Sequence, residues 1–105
     1  MHRYALILSL AGPCIEWYAR TTEMSVAVAG EMFAKNEPNV YTLKDPGSML
    51  VNREGMLAAH WKAIFDMELQ MQCEDQREWP RARSLAMFKE WFKIELCTLV
   101  FDLEG

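Results

Sequence analysis

From Met56 to Cys73 the chain runs through MLAAHWKAIFDMELQMQC without a proline or a glycine. No turn is written into this run, so it reads as one regular element. Its second half, FDMELQMQCED, alternates apolar and polar residues, which is the period-two signature of a half-buried strand. Yet Met, Glu, Leu and Gln are good helix formers, and no β-branched residue occurs there. The first half is helical in pattern, and no turn separates the halves. At 100° per residue, Leu57, His60, Trp61, Ile64, Phe65, Met67, Leu69 and Met71 cover well over half the circumference. Lys62, Asp66 and Gln70 form the narrow polar remainder. The alternation is then what a broadly buried helix produces. The expectation is one helix from Met56 to Cys73, entered through Asn52 as N-cap.

The flanking segments supply the rest. RYALILSL, closed by Ala11-Gly12-Pro13, reads as a strand ending in a loop, although periodicity alone also allows a buried helical turn. Ile15, Tyr18, Thr22, Val26, Ala29 and Phe33 recur at steps of three and four. They predict a helix from Cys14 to Lys35, stopped by Asn36 to Pro38. In VYTLKDPGSMLV, two β-friendly runs flank Asp45-Pro46-Gly47, the chemistry of a hairpin turn. Pro80 suits the first turn of another helix. SLAMFKEWFKIELCTLVFDL then reads as a helix with two apolar faces. Leu85, Phe88, Phe92, Leu96, Leu99 and Leu103 lie on one; Met87, Trp91, Ile94 and Phe101 lie on the other. CTLVFDL also fits a strand. The predicted fold is therefore α+β and predominantly helical: an N-terminal strand, a helix, a short β-hairpin and two long C-terminal helices, over a single domain 1–105. An all-α fold is the alternative.

The 105 residues can bury enough surface to fold without staples. Half of them are apolar and a quarter are charged, which excludes a disordered chain. The formal net charge is −4, the wrong sign for a domain that holds nucleic acid by phosphate attraction. The cysteines Cys14, Cys73 and Cys97 are odd in number and widely spaced, so no zinc knuckle or redox dithiol is present. YALILSLAG is preceded only by Arg3 as a basic side chain and is followed by bulky and charged residues, so it reads as core and not as a leader. No run reaches the ~20 apolar residues that span a bilayer. A cytoplasmic protein is expected.

Chemistry-bearing patterns are sparse. Cys14 and Arg20 have the spacing of a cysteine phosphatase loop, with Asp45 as a downstream acid. The filling IEWYA lacks glycine and sets Glu16 where an anion would sit. His60 and Glu68 both enter the apolar arc, but lie about 12 Å apart along a helix, too far to share a metal. No cofactor is expected, and a carboxylate that meets a cation or reaches solvent is the reading for Glu68. Met56, Met67, Met71 and Met87 suit either core filling or an adaptable binding surface. Arg77, Arg81 and Arg83 read as a solvated helix start.

The functional expectation is a small protein–protein interaction module, an adaptor or inhibitor, acting by surface complementarity without catalysis. The partner is another protein or a second copy. The second apolar face, Met87, Trp91 and Ile94 with Lys89 and Glu90 at its rim, is the expected interface of a homodimer. Thiol chemistry at Cys14 and Arg20 is the enzyme alternative. An acidic decoy of a nucleic-acid-binding protein is a third reading.

Overall fold

A computed structural model describes residues 3–44 and 53–97. The apolar run RYALILSL forms β1, Arg3–Leu10, the central strand of a three-stranded sheet. On one side it pairs antiparallel with β2, Asn39–Lys44, and on the other antiparallel with β3, Phe92–Cys97. The helices are α1, Gly12–Thr21; α2, Val26–Ala34; α3, Arg53–Gln72; and α4, Leu85–Trp91, with a 3₁₀ turn at Gln76–Glu78. The fold is thus α+β and mostly helical.

Alternation along the strands sorts the sheet into two faces. Tyr4, Leu6 and Leu8 of β1 are buried in the core, flanked in register by Leu43, Tyr41 and Asn39 on β2 and by Leu96 and Ile94 on β3. Helix α3 contributes Met56, Leu57, Ile64, Phe65 and Leu69 to the same core. Phe65 sits at its centre. Its ring centroid lies 5.4 Å from Phe92 in an edge-on contact, and 5.7 Å from both Phe88 and Trp91.

Three parts of the chain differ from the sequence-based expectation. First, the helix expected from Cys14 to Lys35 is two helices. The Thr21 and Thr22 hydroxyls donate to the Tyr18 carbonyl at 3.0 and 2.7 Å. Glu23 then takes a left-handed conformation with φ 56°, and Ser25 caps α2 by accepting the Val28 N–H. The side-chain bonds compete with the helical ladder and turn the chain. Tyr18 and Phe33 meet edge-on at 4.9 Å and hold α1 to α2.

Second, the last element is not a long two-faced helix. α4 ends at Trp91 and the chain passes directly into β3, with Phe92 already extended at φ −131° and ψ 145°. Lys, Glu and Leu tolerate either state, so the free edge of β1 decides it: pairing there satisfies a row of backbone groups that a helix would leave open.

Third, α3 buries a narrower seam than the helical wheel drew. Glu68 is 2% exposed, whereas Met67 and Met71 are 56% and 54% exposed. His60 and Trp61 are half-buried. The expected hairpin is represented by β2 alone. Its turn at Asp45 to Gly47 and its second arm lie outside the described residues, as do Asn52, Leu99, Phe101 and Leu103.

Candidate interaction surface

The buried carboxylate of Glu68 ties α3 to β2. Its Oε1 accepts hydrogen bonds from Asn39 Nδ2 at 2.9 Å and from the Tyr41 hydroxyl at 2.8 Å. Its Oε2 is also buried and takes no hydrogen bond from the described residues. Burial raises the Glu68 carboxyl above its ordinary range, and the two donated bonds only partly oppose that. Tyr41 is raised as well, first by burial and then by its bond to Glu68. The Cys14 thiol is pushed up to about 12, by burial and by the nearby Glu68 charge. Glu68, Asn39 and Tyr41 thus form a buried polar contact between helix and sheet. Among the described residues no cation pairs with Glu68, and its carboxylate is buried, whereas the sequence-based reading had it pair with a cation or reach solvent.

The neighbouring face of α3 is open. Met67 and Met71 stand one helical turn apart and are exposed, unlike the buried Met56. With Asp66, Gln70, Gln76 and Trp79 they line a shallow groove of about 330 Å³. Its far wall is Gln76 and Trp79, on the segment that returns from α3 to α4 and is held by indole and guanidinium donors. Trp79 Nε1 donates to the Cys73 carbonyl at 2.8 Å, and Trp17 Nε1 of α1 donates to the Glu78 carbonyl at 2.8 Å. Arg83 donates to Asp66 Oδ1 and to the Pro80 carbonyl, both at 3.0 Å, with its guanidinium 5.6 Å from the Trp79 ring centre. A hydrogen-bonded indole thus shares the groove with two side chains that repack easily.

The expected interface residues are distributed differently. Trp91 is a core residue, 8% exposed, with its ring 5.8 Å from Trp17 and 5.7 Å from Phe65. Met87 is half-buried against the same core. Lys89 is engaged with Glu54 at the start of α3, and Glu90 is exposed. Ile94 is on β3 and faces the core side of the sheet. The five residues therefore do not share one helix face.

The structure does not bring the phosphatase-like pair together either. Cys14 and Arg20 lie within the single helix α1, six residues apart, so about 9 Å separates them along its axis. Cys14 is buried and Arg20 is exposed. Among the described residues no three His, Cys, Asp or Glu side chains converge as a metal site. Of the basic cluster, Arg77 is exposed and paired with Asp75, Arg81 is exposed, and Arg83 joins Asp66 to the Pro80 carbonyl. The groove wall at Trp79 escaped sequence reasoning because its partners come from a different element. The placement of Glu68 between Met67 and Leu69 was the available signal. If the carboxylate faces inward at a period of 3.6, its methionine neighbour at i−1 is turned away from the core. Among the described residues no helix is long and apolar enough to cross a membrane. Comparison with protein-family models, with curated proteins and with solved structures finds no match to this chain.

Proposed function

We propose that this chain is a protein–protein interaction module that works by surface complementarity, with the groove between Met67, Met71 and Trp79 as its contact surface. The observation that carries this reading is the exposure of Met67 and Met71 next to a hydrogen-bonded aromatic wall, while Met56 of the same helix is packed inside. Solvent-facing apolar side chains gathered in a concave site are what a partner buries. The occupant is an amphipathic segment of another protein that inserts one or two apolar side chains between the methionines and onto Trp79. The thiol alternative finds less support, because the Cys14 thiol is buried and held protonated well above neutral pH.

The test is selection of binders from a displayed library of helical peptides, read by methyl chemical shifts. Selected peptides are expected to shift the Met67 and Met71 methyl signals and to lose binding in Met67→Asp and Met71→Asp, with the fold intact by circular dichroism. Binders that leave both methyl signals unmoved, or a library that yields none, would overturn the groove as the contact surface.

A further inference from the structure

The outer edge of β3 has a self-complementary pattern. Among the described residues β3 pairs with β1 on one side only. The Ala11 N–H donates to the Trp91 carbonyl at 2.8 Å, continuing the register that sets Leu10 opposite Phe92. In an antiparallel ladder, residues bonded to one neighbour alternate with residues whose N–H and C=O face away from it. Trp91, Lys93 and Glu95 therefore bond toward β1, and the amides of Ile94 and Leu96 face the outer edge. A row of edge amides that no described residue pairs is a template for another strand.

We propose that two copies of this chain join through β3, antiparallel, about a two-fold axis at Ile94. In this register the two Ile94 residues lie opposite each other and exchange both their N–H···O bonds. Each Leu96 N–H reaches the opposite Phe92 carbonyl, the Phe92 N–H itself being held by Phe88 within the helix end. On the solvent face, Lys93 of each copy meets Glu95 of the other. Both side chains are exposed in the single chain. On the core face, Leu96 meets Phe92 and Ile94 meets Ile94, so the half-buried Ile94 and Leu96 lose their remaining exposure. Opposite charges directly across a ladder stabilise it, and like charges oppose it. The sequence FKIEL is matched to its own reverse in both respects.

The other edge lacks this property. β2 is NVYTLK, with Lys44 its only charge, so no register of β2 on itself sets a cation against an anion. Pairing β3 of one copy with β2 of the next is heterologous and builds open-ended polymers, while pairing about Ile94 closes at two. The six described strands of the two copies would then form one sheet, with the α3 groove of each copy left free. Its existence does not depend on the groove reading.

The experiment is sedimentation velocity of the full chain across a micromolar concentration series, with two charge-reversed variants, Lys93→Glu and Glu95→Lys. Wild type is expected to approach twice the chain mass. Each variant alone sets like charges at both symmetric positions and is expected to weaken self-association by about 10- to 100-fold. Mixed in equal amounts, the two variants regain opposite charges at both positions and are expected to recover the dimer. Circular dichroism on each variant keeps misfolding from passing for dissociation. A wild type that stays monomeric at high micromolar concentration overturns the proposal. So does a dimer whose dissociation constant is unchanged in both variants, or a mixture that fails to re-associate while each variant is folded.

Discussion

The Tyr41 hydroxyl donates to Glu68 Oε1 at 2.8 Å across the seam between β2 and α3. With Asn39 as second donor, this makes a buried carboxylate the fixing point between sheet and helix. A desolvated carboxyl favours its protonated form, so folding raises its pKa above the ordinary value of 4.5. The stability this group contributes is therefore complete below about pH 4.5, the ordinary value, and is lost as pH rises through the folded pKa.

Glu68→Gln keeps an acceptor for Asn39 and Tyr41 and removes the charge. The expected result, in urea titrations at a series of pH values, is a variant whose advantage over wild type grows as pH rises above 4.5. Comparing the two proteins pH by pH cancels the opposite trend from Glu54 and Asp75, whose pKa values are lowered by Lys89 and Arg77. A difference that is flat across this range refutes the assignment.

Thiol reactivity should rank the cysteines by depth. Cys97 is exposed, Cys73 is half-buried, and Cys14 is buried with its pKa pushed up to about 12. A disulfide reagent at neutral pH is expected to modify Cys97 first and Cys73 next. Cys14 should react only at the rate of unfolding. Rapid labelling of Cys14 in the native protein would show an open and activated thiol, the state that the phosphatase-like spacing requires.

Glu23 occupies a left-handed conformation at φ 56°, in the turn that ends α1. A side chain there costs about 1 kcal/mol that glycine avoids. Glu23→Gly is therefore expected to stabilise the fold by up to about 1 kcal/mol, measured by chemical denaturation. Glu23→Val is expected to destabilise it, since a β-branched residue tolerates this region least.

The depth of α3 can be read by substitution along one turn. Phe65→Ala removes a ring in contact with Phe88, Trp91 and Phe92 and should cost about 3–5 kcal/mol. Met67→Ala, two residues on, should change stability by less than about 0.5 kcal/mol. Trp91→Asp places a charge beside Trp17 and Phe65 and should abolish the cooperative unfolding transition. A folded Trp91→Asp protein would return Trp91 to the surface.

Some of this was legible locally. α3 announced itself because its breaker-free run and its choice of helix formers agree, and local preference with no competing partner decides such an element. β1 was legible as an apolar run closed by Ala11-Gly12-Pro13. The split at Thr22 to Ser25 was written in the side chains, since Ser25 is a good cap, but the apolar spacing on either side continues across it.

The C-terminal element shows where local information stops. Phe88, Phe92 and Leu96 recur at the spacing of a helix, while Phe92, Ile94 and Leu96 alternate with Lys93 and Glu95 as a strand does. Both patterns are present in the same residues, and the propensities of Lys, Glu and Leu favour neither strongly.

Periodicity and the absence of breakers act within a few turns, and they were enough to read α3 and a predominantly helical α+β chain, with all-α as the alternative. The contacts of the folded chain set the rest: that Phe92 to Cys97 is a strand, that Trp91 is core, that Glu68 meets Asn39 and Tyr41, and that Met67 faces water. Each depends on what lies opposite: the open edge of β1, the rings of Trp17 and Phe65, and the donors Asn39 and Tyr41. Those partners are dozens of residues away along the chain and become neighbours only once the sheet has formed.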